Sequence, residues 1–300
     1  MDTTKQRHLI ERAAARLDLS SVAGAELRPP SPQPNWQPPI GRERESSEAA
    51  EHTNNAKRHI ELTALTDAGL LESESYSRTA EEFRIVQNRL LREGLDKRAA
   101  APGRERDNLV MVTSALKGEG KSFAAINLAG EVARHSDRRV LLIDADPKAF
   151  GLRHGLGVSD AKGLLDLARD KRLDLADVII PTAAEYLDIL SLGGADEKAS
   201  GELFASQRMN DVIVEIGRRC ADRLVIFDTP PCLSSSIPHI LANLVGHTVL
   251  VVGADSTQQK DIEAALDFIN VCPKISALLN KIPTWVGYSF GSYDYLSSEI

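Results

Sequence analysis

The sequence has 300 residues and a formal net charge of −7, from 36 lysines and arginines against 43 aspartates and glutamates. Its apolar fraction of 42% is enough for a sizeable core and excludes wholesale disorder. The acidic balance argues against a protein that coats nucleic acid, and the longest strongly apolar run, 248–254, is too short to cross a bilayer. Three widely spaced cysteines form neither a disulfide framework nor a zinc site, so we expect a cytoplasmic protein with reduced thiols.

The N-terminal 56 residues predict a helix followed by a spacer. Residues 1–28 contain an amphipathic pattern, which indicates a helix that docks either on a membrane or partner, or on the body of the protein itself. Six of the 14 prolines lie in 29–39, and polar residues follow. Because proline fixes φ and removes a backbone donor, we predict that 29–56 is an extended linker, with a ligand for an aromatic groove as the alternative.

Residues 57–103 predict a helical segment with two helices, over 57–71 and 79–95. From residue 104 to residue 283, near-continuous apolar strands alternate with helical stretches. The predicted strands are 109–114, 139–145, 187–192, 223–228, 248–254 and 276–280. The predicted helices of this region are 122–135, 162–169, 206–220, 237–244 and 259–271. This alternation predicts an α/β fold with a doubly wound, mostly parallel sheet, extended by the helical prefix and a flexible C-terminal tail, 284–300.

The clearest motif is the sequence ALKGEGKS at 115–122, between the first strand of this region and the helix that follows it. Gly118 and Gly120 allow the backbone to curl so that consecutive N–H groups face one concavity. The N-terminus of the helix adds its dipole there. Lys121 would reach the β- and γ-phosphates, and Ser122 would ligate Mg²⁺. The segment therefore has the form of a Walker A loop and predicts a site for ATP with Mg²⁺.

Carboxylates follow two further strands. Asp144 and Asp146 come at the end of the second strand, and Asp228 ends the strand that precedes the prolines of the DTPP segment. Each alone would also fit a helix cap or a turn. Ligands of open α/β sheets bind at the carboxyl ends of the strands, where a buried charge needs a cation or a hydrogen-bond donor. Together with the phosphate loop, these residues indicate a magnesium-nucleotide hydrolase or phosphotransferase.

This order of motifs resembles the bacterial tyrosine kinases of polysaccharide export. That family belongs to the deviant-Walker P-loop NTPases, which also include the partition and division-site ATPases. The resemblance extends from about Ser77 to the C-terminus. Its matching segments are 112–129, 140–148, 201–209, 224–231 and 278–281. The N-terminal helix and segment 80–84 further resemble the autokinases linked to exosortase-type exopolysaccharide loci.

The resemblance implies a role for each matching residue. Lys121, Asp144 and Asp146 would be catalytic, with Asp144 as the base that takes the tyrosine proton and Asp146 organising Mg²⁺ and its water. Ser122, Asp144 and Asp228 would be the metal ligands. Asn280 would hydrogen-bond the adenine edge. The complete nucleotide-binding set is Lys117, Gly118, Glu119, Gly120, Lys121, Ser122, Phe123 and Asn280.

Several positions depart from the family pattern. Lys148 stands where the family has arginine, so the charge is kept but the planar fork is lost. Lys117 stands where a proline commonly precedes the loop glycine, and 232–239 lacks the usual acidic residue. Of the self-assembly motif E-x2-R-x2-R, the chain has Glu81 and Arg84, with Gln87 at the third position. Glu81 and Arg84 remain the predicted oligomerisation residues.

The C-terminal tail carries three of the five tyrosines, Tyr288, Tyr293 and Tyr295. Neighbouring glycines and serines disfavour packed structure, so the tail would reach the nucleotide of a neighbouring subunit for autophosphorylation in trans. The alternative is an aromatic tail packed on the body of the protein. The resemblance also implies a homo-oligomer, a membrane-anchored activator of the chain-length-determinant type and an opposing phosphatase. Such a kinase would be cytoplasmic and recruited to the inner face of the membrane through that activator.

Two other functions stay open. One is a positioning ATPase like those of chromosome partition and division-site selection, and the other is a scaffold that binds nucleotide without transferring phosphate. The partition group carries a signature lysine at the position of Leu116, which favours the kinase.

Overall fold

The computed structural model describes residues 58–71, 78–94, 106–136, 138–148, 152–194, 197–254 and 256–282, all within the unit Thr53–Ile300. The predicted N-terminal helix, the proline-rich linker and the tail with Tyr288, Tyr293 and Tyr295 lie outside the described residues. Among the described residues, no helix is both long enough and apolar enough to span a membrane.

The described segments contain ten α-helices, seven strands and one 3₁₀ turn at Cys232–Ser234. The helices are α1 Leu62–Asp67, α2 Arg78–Gly94, α3 Lys121–His135, α4 Leu152–Gly155, α5 Leu164–Arg169, α6 Leu175–Val178, α7 Glu197–Phe204, α8 Gln207–Arg219, α9 Ile237–Ala242 and α10 Gln259–Ile269. The strands are β1 Leu109–Ser114, β2 Arg139–Asp144, β3 Ile179–Pro181, β4 Leu187–Leu190, β5 Arg223–Asp228, β6 His247–Gly253 and β7 Ile275–Asn280.

The seven strands form one sheet in the order β3-β4-β2-β5-β1-β6-β7. Every neighbouring pair is parallel except β3 with β4, which is antiparallel. Strands β2, β5, β1 and β6 are consecutive and parallel, so their carboxyl ends lie at the same edge of the sheet. The strand order therefore brings the segments that follow β1, β2 and β5 side by side.

Helices cover both faces of the sheet. On β5, Val225 and Phe227 pack into one apolar core with α8, α9 and α10, whereas Leu224 and Ile226 pack into the other with α2 and α3. The same alternation runs along β1, β2 and β6. Strands buried on both faces need apolar residues at nearly every position, which explains their continuous hydrophobic runs. The predicted doubly wound, mostly parallel α/β fold is confirmed.

The helix predicted over 57–71 is largely wrong, because only Leu62–Asp67 is helical. Ile60 instead lies extended: its N–H donates to the Pro181 carbonyl at 3.1 Å, and its carbonyl accepts the Ala183 N–H at 2.8 Å. At the other end, Gly69 has a φ of 104°. The pairing with residues beyond β3 outweighs the local helical pattern, and the left-handed glycine follows the helix directly.

Strand β3 was not predicted from the sequence. It has three residues, ends in Pro181 and forms its ladder with β4 at one side of the sheet, while Ile60 bridges to the residue after it. Proline has no N–H to donate to a ladder, so it is tolerated at the end of an edge strand.

Candidate active site

The phosphate loop lies between β1 and α3 and depends on two glycines with positive φ. Gly118 has φ 88°, and Gly120, the N-cap of α3, has φ 94°. A Cβ at Gly120 would also lie 2.2 Å from the Asn280 amide nitrogen. The positive φ disfavours any other residue at Gly120, and a Cβ there would displace the Asn280 amide from its contact with the loop. The first turn of α3 contains no acidic residue, so its free N–H groups and dipole are available to an anion.

The strand register places the predicted acids beside this loop. In the parallel ladder of β2 and β5, Asp144 is opposite Asp228, and on the other side of β5, Asp228 is opposite Val112 of β1. The Ala145 N–H donates to the Asp228 carbonyl at 2.8 Å, so the segment after β2 is fixed to the end of β5. The structure thus brings the three predicted motifs together at one edge of the sheet.

Lys121 forms an ion pair inside the site. Its Nζ lies 2.8 Å from Asp146 Oδ2 and donates to Ser122 Oγ at 3.3 Å. The second Asp146 oxygen accepts the Lys148 N–H at 3.1 Å. Burial disfavours the lysine charge, but the carboxylates of Asp228, Asp146 and Asp144 outweigh it and raise the pKa of Lys121. Lys121 is therefore a stable cation at neutral pH.

Asp228 is fully buried, and neither of its carboxylate oxygens has a hydrogen-bond partner among the described residues. Burial raises its pKa to about 7, against the attraction of Lys121. The Ser122 hydroxyl comes close enough to lower that pKa without completing a well-aligned hydrogen bond. Burying a carboxylate without hydrogen-bond donors costs free energy, and a bound cation would offset that cost.

Asp144 is equally buried, but both of its oxygens have donors. Oδ1 accepts the Asp146 N–H at 3.0 Å, and Oδ2 accepts the Arg153 N–H at 3.0 Å. Burial raises its pKa to about 6, while these hydrogen bonds and the charge of Arg153 lower it. The neighbouring backbone therefore fixes the orientation of the carboxylate and leaves it ionised in most molecules at pH 7.

Four of the other predicted nucleotide-binding residues differ in where they lie. Lys117 and Gly118 are exposed at the tip of the loop. Phe123 packs away from it, with its ring centroid 5.9 Å from that of Phe83. Asn280 donates its amide N–H to the Glu119 carbonyl at 2.8 Å, so one of its two donors contacts the phosphate loop. Its predicted contact with adenine stays a prediction.

The predicted oligomerisation residues make contacts within this chain. Arg84 pairs with Glu81 on α2, and its Nε lies 3.6 Å from Glu131 Oε2 on α3. Gln87, at the third position of the motif, is 3% exposed. The missing arginine of the motif therefore corresponds to a position that faces the interior.

Two residues that sequence reasoning missed contribute to the site. Arg153 supplies the N–H that orients Asp144, and its guanidinium donates to the Pro147 carbonyl at 3.0 Å. Thr257 donates its hydroxyl to the Glu119 carboxylate. Neither residue belongs to a motif. The role of Thr257 depends on a contact with Glu119, more than 100 positions away, which no local sequence signal reveals.

The donors and acceptors present fit a magnesium nucleotide. The positive-φ glycines and free N–H groups suit phosphate, and the unpaired oxygens of Asp228 beside Ser122 suit a hard cation. Within the described ranges, no three His, Cys, Asp or Glu side chains are grouped as a metal site by themselves. Mg²⁺ in nucleotide sites needs only one or two carboxylates, because phosphate and water supply the other ligands.

No family model matches this sequence. It is 28% identical over 211 residues to the tyrosine-protein kinase YwqD of Bacillus subtilis, which covers 69% of this chain and 83% of the relative. It is also 28% identical over 199 residues to the tyrosine-protein kinase wzc of Salmonella typhi, covering 64% of this chain but only 27% of that longer protein.

Among solved structures, the kinase domain of the Escherichia coli tyrosine kinase ETK superposes with a TM-score of 0.59 and 27% identity. That match covers 74% of this chain and 84% of the other. The chain is therefore similar in sequence to bacterial proteins named tyrosine-protein kinases, and its fold matches that of the ETK kinase domain.

Proposed function

We propose that the chain is an ATP-dependent protein-tyrosine autokinase that phosphorylates its C-terminal tyrosines in trans. The observation that carries this proposal is the buried, unpaired Asp228 carboxylate beside the phosphate loop, in a chain whose relatives are named tyrosine-protein kinases. We further propose that this activity regulates the synthesis and export of exopolysaccharide or capsule.

The phosphate loop and Lys121 would hold the phosphates of ATP, and Ser122 with Asp228 and Asp144 would hold Mg²⁺. When bound, the cation neutralises charge on the phosphate oxygens. The Lys121 ammonium group lies 2.8 Å from Asp146, so with ATP bound it would contact both this carboxylate and the phosphates. Asp146 thereby keeps the ammonium group in the site.

Asp144 is the proposed base. A tyrosine hydroxyl has a pKa near 10, so its proton has to move to an acceptor within hydrogen-bond reach. With a pKa raised to about 6, Asp144 binds a proton more strongly than an ordinary carboxylate, yet it is mainly ionised at pH 7. The N–H groups of Asp146 and Arg153 hold its two oxygens in place for this transfer.

The same resemblance supports further proposals about partners. The kinase would act as a homo-oligomer through Glu81 and Arg84, with a membrane-anchored activator of the chain-length-determinant type and an opposing phosphatase. It would lie in the cytoplasm and reach the inner membrane face through that activator.

The experiment separates the enzyme role from the substrate role. Lys121→Met removes the phosphate-binding cation but keeps the tail, and Tyr288→Phe/Tyr293→Phe/Tyr295→Phe removes the acceptors but keeps the site. Each protein is incubated with Mg-ATP, alone and mixed with the other, over a range of concentrations. Phosphotyrosine is then mapped by mass spectrometry.

We expect phosphotyrosine in the parent protein, none in either variant alone, and phosphorylated tails on Lys121→Met protein in the mixture. Absence of phosphotyrosine in the parent at every concentration, also after addition of the membrane-anchored activator and with ATP hydrolysed, contradicts the kinase and supports the positioning ATPase. Nucleotide binding with neither hydrolysis nor transfer supports the scaffold.

A further inference from the structure

A carboxylate lies inside the phosphate loop itself. Glu119 stands between Gly118 and Gly120, and yet it is only 2% exposed. Its Oε2 accepts the Leu116 N–H at 2.6 Å. Its Oε1 accepts the Gly253 N–H at 3.1 Å and the hydroxyl of Thr257. A buried carboxylate persists when donors surround it, and here three donors do so.

These contacts join the loop to another part of the sheet. Gly253 ends β6, and Thr257 lies just before α10, so the Glu119 side chain connects the phosphate loop to the segment after β6. The Glu119 carbonyl accepts the Asn280 amide at 2.8 Å, which connects the same residue to the end of β7. Residue 119 is thus fixed through both its side chain and its main chain.

The location of the carboxylate matters for an anion site. A carboxylate free to enter the concavity would repel the phosphates that the loop is built to bind. A loop with two glycines would also sample many conformations, and ordering it upon binding would cost backbone entropy. The three donors hold the acid among protein groups, and they hold the loop in the conformation where its N–H groups converge.

We propose that Glu119 is a positioning residue, which keeps the phosphate loop in its anion-binding shape through Leu116, Gly253 and Thr257. The proposal rests on the nucleotide-binding part of the proposed function. It assigns the Glu119 side chain a role different from direct contact with the nucleotide. It also makes Gly253 and Thr257 part of the phosphate site, although neither belongs to a recognised motif.

The test compares a ligand that has phosphates with one that has none. Binding of ADP is measured by isothermal titration, and binding of adenosine by saturation-transfer NMR, both without Mg²⁺. The variants are Glu119→Ala, Glu119→Gln and Thr257→Val, and Ser256→Ala serves as a matched control in the same segment. Ser256 is exposed and has no hydrogen bond to Glu119.

We expect Glu119→Ala to weaken ADP binding by about tenfold to a hundredfold while adenosine binding stays within about twofold of the parent. Glu119→Gln keeps an acceptor of the same size, so it should weaken ADP binding less than Glu119→Ala does. Thr257→Val should weaken ADP binding by about threefold to tenfold, and Ser256→Ala should not change it.

If ADP and adenosine weaken together, Glu119 supports the fold rather than the loop, and the proposal is wrong. Unchanged ADP binding in Thr257→Val and Glu119→Gln contradicts it as well, even where Glu119→Ala does not fold. A parent protein that binds ADP but makes no phosphotyrosine contradicts the kinase assignment alone, and the Glu119 result stands.

Discussion

The two ends of strand β5 carry buried ions in opposite circumstances. At its start, Arg223 is 6% exposed, and its guanidinium donates to Asp188 Oδ2 on β4 at 2.8 Å. At its end, Asp228 is fully buried, and its oxygens have no hydrogen-bond partner in the described part of the chain. Both side chains lose contact with water on folding, but only Arg223 forms a direct hydrogen bond to a group of opposite charge.

The pKa directions alone do not separate these ends. Burial raises the pKa of Asp188 in spite of Arg223 and Arg139, and burial also raises that of Asp228. What differs is the presence of donors. An unpaired buried carboxylate works against folding, so its place beside the phosphate loop points to a ligand rather than to stability.

The largest expected effect separates the ends by activity. Lys121→Met removes the cation of the phosphate loop and should lower tyrosine phosphorylation by about a hundredfold to a thousandfold, because it takes away charge that faces the transferred group. Arg223→Met, at the other edge of the sheet, should leave the rate within about threefold. Phosphotyrosine formation per minute checks both. Equal losses in the two variants would mean that the ends do not differ in function.

Stability should change in opposite directions at the two ends. Arg223→Met removes the guanidinium that donates to Asp188 and should lower the free energy of unfolding by about 2 kcal/mol, because that carboxylate is only partly exposed. Asp228→Asn removes an unpaired buried charge and should raise it by about 1–3 kcal/mol at pH 8 without metal. Urea unfolding of each variant gives both numbers. Destabilisation by Asp228→Asn would show that its charge is compensated in the folded protein.

The pH dependence should follow from Asp228 and Asp144. Their folded pKa values, about 7 and about 6, both lie above the ordinary 3.8, so the folded chain binds more protons than the unfolded chain between these values. Their contribution to stability is therefore complete below pH 4 and is lost as the pH rises through 6 and 7, by a few kcal/mol in total. Thermal unfolding of the metal-free protein checks this trend. Asp228→Asn should flatten it, and an unchanged slope in that variant would assign the titration elsewhere.

The motif residues could be predicted because their spacing and their strands are local features. The phosphate loop, Asp144, Asp146 and Asp228 lie where a doubly wound sheet places them, and Gly118 and Gly120 have the positive φ that their positions suggest. The helix predicted over 79–95 agrees with α2 to within one residue.

The parts that escaped prediction depend on contacts between distant segments. Ile60 lies extended because it pairs beside Pro181, against a locally helical pattern. The burial of Glu119 depends on Gly253 and Thr257, more than 130 positions further along the chain. No periodicity or motif indicates such contacts. The sequence therefore identifies the motif residues better than the residues that fix the conformation of the motifs.

The measurement that tests the central claim most directly is the effect of Mg²⁺ on ADP binding. Isothermal titration at pH 7.5 would compare the parent with Asp228→Asn, each with and without Mg²⁺. If Asp228 is left unpaired for a cation, Mg²⁺ should tighten ADP binding by about tenfold in the parent and by less than about twofold in the variant. Full enhancement by Mg²⁺ in Asp228→Asn would contradict this role for the carboxyl end of β5.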